Sequence, residues 1–179
     1  LLYSFADNHD VDRVASQLKD PADLFNLYSL MYTMPGIPSV YYGSEWGISG
    51  KKTNNSDLPL RPDLDLQTCI NNAPMPDLPE HLKVLAEIRQ SMPALQAGSY
   101  RQVLVASQQF AFLREKEGWK VLVVINSSDQ PVEISLTNQL APNGRWVDLL
   151  NPKTEWIARG EKTALMLDAK WGRILVYQG

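Results

Sequence analysis

The hydrophobic pattern of the chain changes once, close to residue 95, and this change limits the folds that the sequence can adopt. Before it, apolar segments of strand length alternate with helical stripes; after it, short alternating segments follow one another between turn residues. The first pattern is typical of parallel βαβ units and the second of antiparallel sandwiches. We therefore predict an α/β region over 1–95 and an all-β region over 96–179.

The first region is predicted to contain a strand, a helix and a second strand. Residues 1–6 are apolar, and Asp20 followed by Pro21 is typical of a helix start, with a capping carboxylate before a proline at the first helical position. One apolar stripe follows at three- and four-residue spacing, formed by Leu24, Leu27, Tyr28 and Met31. A proline–glycine pair ends the helix, and 37–42 has the composition of a buried strand, so we expect a parallel βαβ unit.

The rest of the chain divides into a long loop, one helix and a series of strands. No regular period is visible from 43 to 78, which predicts a loop of the length that usually carries function or is disordered. A second amphipathic helix is predicted from Pro79 to Met92, ended by Pro93. Eight strands are predicted beyond it, at 100–106, 109–114, 119–126, 132–136, 144–149, 155–158, 164–167 and 174–177.

Composition narrows the classes of function. The net charge is −3 and the basic residues form no block, so no nucleic-acid partner is expected. No apolar run approaches the roughly 18 residues of a membrane span, and the best run, 121–125, suits a buried strand, so no membrane partner is expected. Cys69 has no histidine near it in the sequence, which favours an inert thiol over a nucleophile. No metal site and no cofactor are predicted in this segment.

Four polar side chains close the first predicted strand: Asp7, Asn8, His9 and Asp10. Strand interiors disfavour Asp and Asn, so the segment either enters a turn closed by an Asx hydrogen bond or presents a functional site. A site is favoured because parallel α/β folds place their chemistry at the carboxyl ends of strands. The second predicted strand also ends on polar and aromatic residues, 41–46.

Two segments resemble signatures of the α-amylase family of glycoside hydrolases. Residues 5–10, Phe-Ala-Asp-Asn-His-Asp, resemble the F-x-x-N-H-D signature of the family's seventh barrel strand. Residues 35–45 are similar to the eighth-strand signature, P-G-x-P-x-x-Y-Y-G-x-E, and begin thirty residues later, the separation of one βα unit. The resemblance implies an incomplete (β/α)8 barrel remnant over 1–95, followed by a C-terminal antiparallel β-sandwich domain over 96–179.

The resemblance also implies roles for individual residues. Family members cleave α-glucosidic bonds with retention, through a covalent glycosyl-enzyme. Asp10 matches the family's third carboxylate, which stabilises the transition state, and His9 matches the histidine that donates to the same sugar. Asn8 is grouped with the substrate-binding residues and is expected to brace the turn that aims both. Asp57 and Arg61, four residues apart, match a pair that holds a neighbouring sugar; the alternative is a pair that is merely solvated.

Four other residues near these signatures have weaker matches. Tyr42 and Trp46 are candidate sugar contacts, because aromatic faces suit glucose rings. The alternatives are packing of the barrel floor for Tyr42 and ordinary packing for Trp46. Glu45 is a candidate cap or structural ion-pair partner, and Arg13 is expected to brace its loop through an ion pair.

The family's nucleophile and acid/base lie on the fourth and fifth barrel strands, outside this sequence. A single carboxylate cannot run a two-carboxylate mechanism, so the chain by itself is predicted to be inactive. Its expected partners are the missing N-terminal barrel portion and an α-glucan or maltooligosaccharide substrate. A non-catalytic carbohydrate-binding or structural module is the alternative, and the family's transglycosylases and isomerases share the same segments.

The first residue and the cysteine count lead to expectations about the natural N-terminus and the compartment. The chain opens on Leu1 within a predicted strand, so we expect the natural N-terminus to lie upstream. Calcium, which many family members bind, is expected only in an upstream inserted domain. The single cysteine excludes an internal disulfide and favours a cytoplasmic location, although secreted bacterial relatives can lack disulfides too.

Overall fold

The computed structural model describes residues 2–54, 56–139, 141–152 and 154–178, so Leu1 of the first predicted strand lies outside the described residues. Its helices are α1 (Asp23–Thr33), α2 (Leu66–Asn72), α3 (Leu78–Ser91) and α4 (Pro93–Ala97). Its strands are β1 (Tyr3–Phe5), β2 (Ile37–Ser39), β3 (Ser99–Val105), β4 (Gln109–Lys116), β5 (Trp119–Asn126), β6 (Val132–Thr137), β7 (Gly144–Asp148), β8 (Glu155–Ala158), β9 (Lys162–Leu167) and β10 (Trp171–Gln178). Within these ranges no helix combines the length and the apolar character that crossing a membrane requires.

Strands β1 and β2 form the predicted parallel pair, with α1 as the crossover between them. Tyr3 lies opposite Ile37 and Phe5 opposite Ser39, so both strands end at the same edge of the pair. The loops that follow them, which carry the two signature segments, therefore leave the sheet side by side. This arrangement brings together residues that are more than thirty positions apart in the sequence.

Helix α1 begins two residues later than the predicted first helical position, Pro21. The residues before it form tight turns, because Asp23 and Leu24 donate their amides to the carbonyls three residues earlier. The Asp20 carboxylate accepts the amide of Ala22 at 2.9 Å and so fixes this turn instead of capping the helix itself. Within α1, Leu24 and Tyr28 are fully buried.

The long loop predicted from 43 to 78 contains a helix that the sequence did not indicate. Helix α2 has no apolar stripe, because Cys69 is its buried residue, and it is fixed by the Asp65 carboxylate, which accepts the Thr68 amide at 2.7 Å. Short 3-10 turns at Ser44–Trp46 and Leu58–Leu60 also interrupt the loop. The predicted second helix is confirmed as α3; a proline ends it, as expected, and then starts the short helix α4.

All eight strands predicted in the second region are present, as β3 to β10. Six of them form one antiparallel sheet in the order β3-β4-β5-β10-β7-β8, and β6 pairs with β9 in a separate two-stranded sheet. The two sheets pack face to face, with apolar side chains of β6 and β9 against one face of the large sheet. A β-sandwich following a βαβ unit agrees with the predicted fold class.

The centre of the large sheet is buried on both faces, which explains the continuous apolar run in β5. Leu122 and Val124 face the small sheet, whereas Val121, Val123 and Ile125 belong to a core that includes helices α1 and α3. Helices of the first region therefore pack directly on the second. The division of the chain at residue 95 stays a prediction, and the core formed with α1 and α3 extends across it.

Candidate active site

The segment that follows β1 is a loop whose two ends are joined by a buried carboxylate. Asp7 is almost completely buried, and its Oδ2 accepts the backbone amide of Val14 at 2.9 Å. Inside this loop, the side-chain oxygen of Asn8 accepts the Asp10 amide at 2.8 Å. The Asx turn that the sequence left as an alternative is therefore present. The same turn carries His9 and Asp10, whose part in a functional site stays a prediction.

His9 and Asp10 project from the loop into solvent and contact each other. The His9 Nε2 lies 3.2 Å from Asp10 Oδ2, and their side chains are 58% and 62% exposed. Arg61 approaches from the long loop, with Nη2 3.5 Å from Asp10 Oδ1 and Nε donating to the His9 carbonyl at 3.4 Å. An exposed carboxylate thus lies between an imidazole and a guanidinium, both of which can donate to it or to a ligand.

Asp57 and Arg61 form the pair that their spacing suggested, with 3.9 Å between Oδ2 and Nη2. Lys52 also contacts Asp57, at 3.4 Å. All three side chains are partly exposed, and exposed ion pairs contribute only about 0–1 kcal/mol to stability. The pair therefore adds little to the stability of the fold, and its contact with sugar stays a prediction.

A cavity of about 320 Å³ opens beside His9 at the ends of β1 and β2. Its walls include Tyr3, Asn8, His9 and Tyr42. The Tyr42 hydroxyl donates to the Pro62 carbonyl at 3.0 Å, which holds the exposed ring at this wall. Asp10 does not line the cavity, but its carboxylate contacts His9, which does line it. The volume lies within the range of small-molecule sites in proteins.

Trp46 and Glu45 lie in the 3-10 turn after β2 and do not line this cavity. Trp46 is half-buried and its carbonyl accepts the Met75 amide at 3.1 Å, so its contact with sugar stays a prediction. The Oε2 of Glu45 is buried and has no hydrogen-bond partner within the described residues, and the role of Glu45 as a cap or structural ion-pair partner stays a prediction. Burial raises the pKa of the Tyr28 hydroxyl, and the carboxylates of Asp7 and Glu45 raise it further.

Within the described residues Arg13 donates to uncharged acceptors instead of forming the predicted ion pair. Its fully buried guanidinium donates to the carbonyls of Tyr42 at 2.9 Å and Leu60 at 3.0 Å, and to the Ser44 hydroxyl at 3.3 Å. It also lies over the Tyr41 ring, 4.7 Å from its centroid. The side chain points into the interior between loops, where backbone carbonyls are the acceptors within reach, and so it still braces the loop.

Sequence reasoning assigned no role to two buried residues beneath the site, Asp7 and Ser44. Asp7 accepts a hydrogen bond from Ser44 at 2.7 Å, across 37 positions of sequence. No spacing or composition in the sequence linked these two residues, although the position of Asp7 directly after a strand was a usable signal. Within the described ranges, no group of three or more His, Cys, Asp or Glu side chains is arranged to hold a metal ion.

Two family models match the chain, and known proteins resemble it in sequence and in structure. The model "Alpha amylase, catalytic domain" matches residues 2–132, and "Maltogenic Amylase, C-terminal domain" matches residues 100–170. A cyclomaltodextrin glucanotransferase of Paenibacillus macerans is 29% identical over 83% of this chain and 20% of its own length. An α-amylase of Niallia circulans is 26% identical over 82% of this chain and 26% of its own length.

Solved structures show the same architecture. The α-amylase of Geobacillus thermoleovorans superposes with a TM-score of 0.89 at 23% identity, covering 100% of this chain and 39% of that one. The cyclomaltodextrin glucanotransferase CldA gives a TM-score of 0.80 at 26% identity, covering 98% of this chain and 36% of that one. The chain thus spans about a fifth to a quarter of the two curated relatives named above and less than two fifths of these structures. Because the catalytic-domain model matches more than half of its residues, the chain belongs to the α-amylase family.

Proposed function

We propose that this chain is the C-terminal part of a longer α-glucan-active glycoside hydrolase, termed the parent below. The observation that carries the proposal is the cluster of His9, Asp10 and Arg61 beside a cavity at the carboxyl ends of two parallel strands. The curated relatives named above, a cyclomaltodextrin glucanotransferase and an α-amylase, support an α-glucan as the substrate class. Hydrolysis and glycosyl transfer use the same first step, so the proposal covers both.

In this proposal Asp10 stabilises the transition state of glycosidic bond cleavage. Positive charge develops on the sugar ring as the bond breaks, and a fixed carboxylate beside it lowers the energy of that state. His9 would donate from Nε2 to a hydroxyl of the same sugar. The contacts of Asp10 with His9 and Arg61, at 3.2 and 3.5 Å, are long enough for a sugar hydroxyl to compete for the carboxylate.

The nucleophile and the acid/base of the parent would come from upstream barrel strands. Retaining cleavage needs two carboxylates about 5 Å apart on either side of the bond. Asp7, the other carboxylate at this strand end, is buried and accepts hydrogen bonds from Val14 and Ser44, so it is unsuited to that role. We therefore expect the 179-residue chain alone to release no sugar.

The first region exposes an apolar surface that the upstream part of the parent would cover. Leu2, Tyr3 and Phe5 on and beside β1 are 83%, 65% and 48% exposed. A groove of about 330 Å³ lies between β1 and α1, and the apolar side chains that line it include Leu27 and Met31. Parallel strands are normally covered on both faces, so a further βα unit packed here would bury both surfaces.

Activity of the parent on maltodextrin tests this proposal. Reducing sugar released by the wild-type parent is compared with that released by Asp10→Asn, which removes the charge but keeps the shape. We expect Asp10→Asn to lower kcat by about 10²–10³-fold, by analogy with the loss of one preorganised donor at an oxyanion site. Glu133→Gln, which neutralises an exposed carboxylate on β6, is the matched control and should leave kcat unchanged.

Two results would contradict the proposal. A wild-type parent that binds maltodextrin without cleaving it would indicate a carbohydrate-binding module instead. An Asp10→Asn parent with wild-type turnover would show that the carboxylate has no part in the chemistry.

A further inference from the structure

Asp7 is the most deeply buried carboxylate near the site, and it closes the loop that carries the proposed catalytic residues. Its side chain is 3% exposed, and Oδ2 accepts the Val14 amide at 2.9 Å. The loop from 7 to 14 is therefore joined at its two ends through this one oxygen. His9 and Asp10 lie inside the closed loop, so their positions depend on that junction.

The same oxygen links this loop to the one that follows β2. The Ser44 hydroxyl donates to Asp7 Oδ2 at 2.7 Å, and Ser44 is itself fully buried. Arg13 Nη1 in turn donates to Ser44 Oγ at 3.3 Å. A buried carboxylate and a buried guanidinium are thus bridged by one hydroxyl, which accepts a hydrogen bond from Arg13 and donates one to Asp7.

Arg13 extends this connection to the remaining site residues. It donates to the carbonyl of Tyr42, which walls the cavity, and to that of Leu60, the residue next to Arg61. Its own backbone amide donates to the Gly50 carbonyl at 2.9 Å. Three loops are therefore joined through the side chain of Arg13. One carries His9 and Asp10, the second carries Tyr42 and the third carries Arg61.

We propose that Asp7 is a positioning residue, which sets the geometry of His9 and Asp10 through its hydrogen bonds to Val14 and Ser44. This inference rests on the proposed function, because it assigns Asp7 a part in the turnover of that same site. Removing the charge of Asp7 leaves Arg13 buried without its nearby anion and weakens both hydrogen bonds. The loop then relaxes, and small displacements of reacting groups are costly to catalysis.

The test compares Asp7→Asn, Ser44→Ala and the double variant in the parent, assayed on maltodextrin well below the melting temperature of the least stable protein. We expect each single variant to lower kcat by about 10- to 100-fold, the cost of misplacing a catalytic group by roughly 1 Å, with KM nearly unchanged. The double variant should be no slower than the slower single variant, because residues acting through one hydrogen-bonded unit are not additive.

Asp148→Asn is the matched control. Asp148 is a carboxylate of the sandwich that is 2% exposed and accepts the amides of Leu150 and Asn151 at 3.0 and 3.1 Å. Asp148→Asn should lower the melting temperature about as much as Asp7→Asn does, while leaving kcat at the wild-type value. If Asp7→Asn does not fold, the kcat of Ser44→Ala tests the positioning role by itself. This substitution removes the bridging hydroxyl without adding volume.

Hydrogen exchange gives a second reading that does not depend on turnover. The Val14 amide should exchange faster in Asp7→Asn than in the wild type, and at the wild-type rate in Asp148→Asn. If the wild-type parent is active and Asp7→Asn has the same kcat as Asp148→Asn, the positioning role is contradicted while the proposed function stands. The same holds if the losses of kcat in Asp7→Asn and Ser44→Ala multiply in the double variant. A wild-type parent that releases no sugar would contradict the proposed function, and the role of Asp7 in turnover with it.

Discussion

Truncating Leu24 tests whether the two regions of the chain unfold as one body. Leu24 lies on α1, is fully buried, and belongs to the core that includes Val123 and Ile125 of the large sheet. Leu→Ala substitutions at such sites cost about 2–5 kcal/mol, from lost burial and the cavity left behind. At about 2–4 °C per kcal/mol for a chain of this size, a cost of ~3 kcal/mol lowers the melting temperature by roughly 6–12 °C.

Two spectroscopic signals follow this transition in separate parts of the chain. Circular dichroism at 222 nm is dominated by the helices, whereas tryptophan fluorescence is dominated by the sandwich, which holds Trp119, Trp146, Trp156 and Trp171. We expect both signals of Leu24→Ala to shift together by the same amount. A shift in the dichroism alone, with the fluorescence transition unchanged, would refute the reasoning, because the two regions would then have independent cores.

Leu27→Ala is the matched comparison on the same helix. Leu27 is half-buried and lines the apolar groove between β1 and α1. Its truncation should cost less than that of Leu24 in the 179-residue chain. In the parent, where we propose that the groove is covered, the cost should rise towards that of Leu24→Ala, and an equal cost in both proteins would contradict that cover.

Two further predictions concern polar groups where the two regions meet. The buried Arg114 donates to three carbonyls, including those of Thr33 and Gly98, so Arg114→Met should lower the free energy of unfolding by at least about 2 kcal/mol in urea denaturation, since each unsatisfied buried acceptor costs about 1–3 kcal/mol. Wild-type stability in that variant would contradict the role of these bonds. Burial lowers the pKa of His81 below its ordinary value of 6.5, opposed by its hydrogen bond to the Phe25 carbonyl. The unfolded chain therefore binds the proton first, and the contribution of His81 to stability, present above pH 6.5, is lost as the pH falls from there through the lower pKa of the folded state. His81→Gln should flatten this part of the stability profile, and an unchanged slope would contradict it.

Local patterns were enough to predict most of the secondary structure. The strands of the sandwich are bounded by turn residues, and β5 is apolar from Val121 to Ile125 because both of its faces are buried there. Helix α2 was not predicted, because a short helix with one buried residue leaves no periodic hydrophobic pattern in the sequence. The start of α1 was placed too early because Asp20 and Pro21 serve a turn as readily as a helix.

Sequence reasoning predicted those site residues that lie in short segments resembling family signatures. Asn8, His9 and Asp10 are adjacent in sequence, and the resemblance to a family signature identified them together. The hydrogen bonds of Asp7 with Ser44 and of Arg13 with Leu60 join residues 37 and 47 positions apart. Such contacts are set by how the loops fold over one another, and residue types alone do not determine them.

A crystal structure of the parent with a bound maltooligosaccharide tests the central claim most directly. We expect the Asp10 carboxylate and His9 Nε2 each to lie within hydrogen-bond distance, about 2.6–3.2 Å, of hydroxyls on one glucose ring. We also expect a further parallel strand to cover the exposed side of β1. A sugar chain bound elsewhere, with Asp10 facing solvent and no ligand near His9, would contradict the claim.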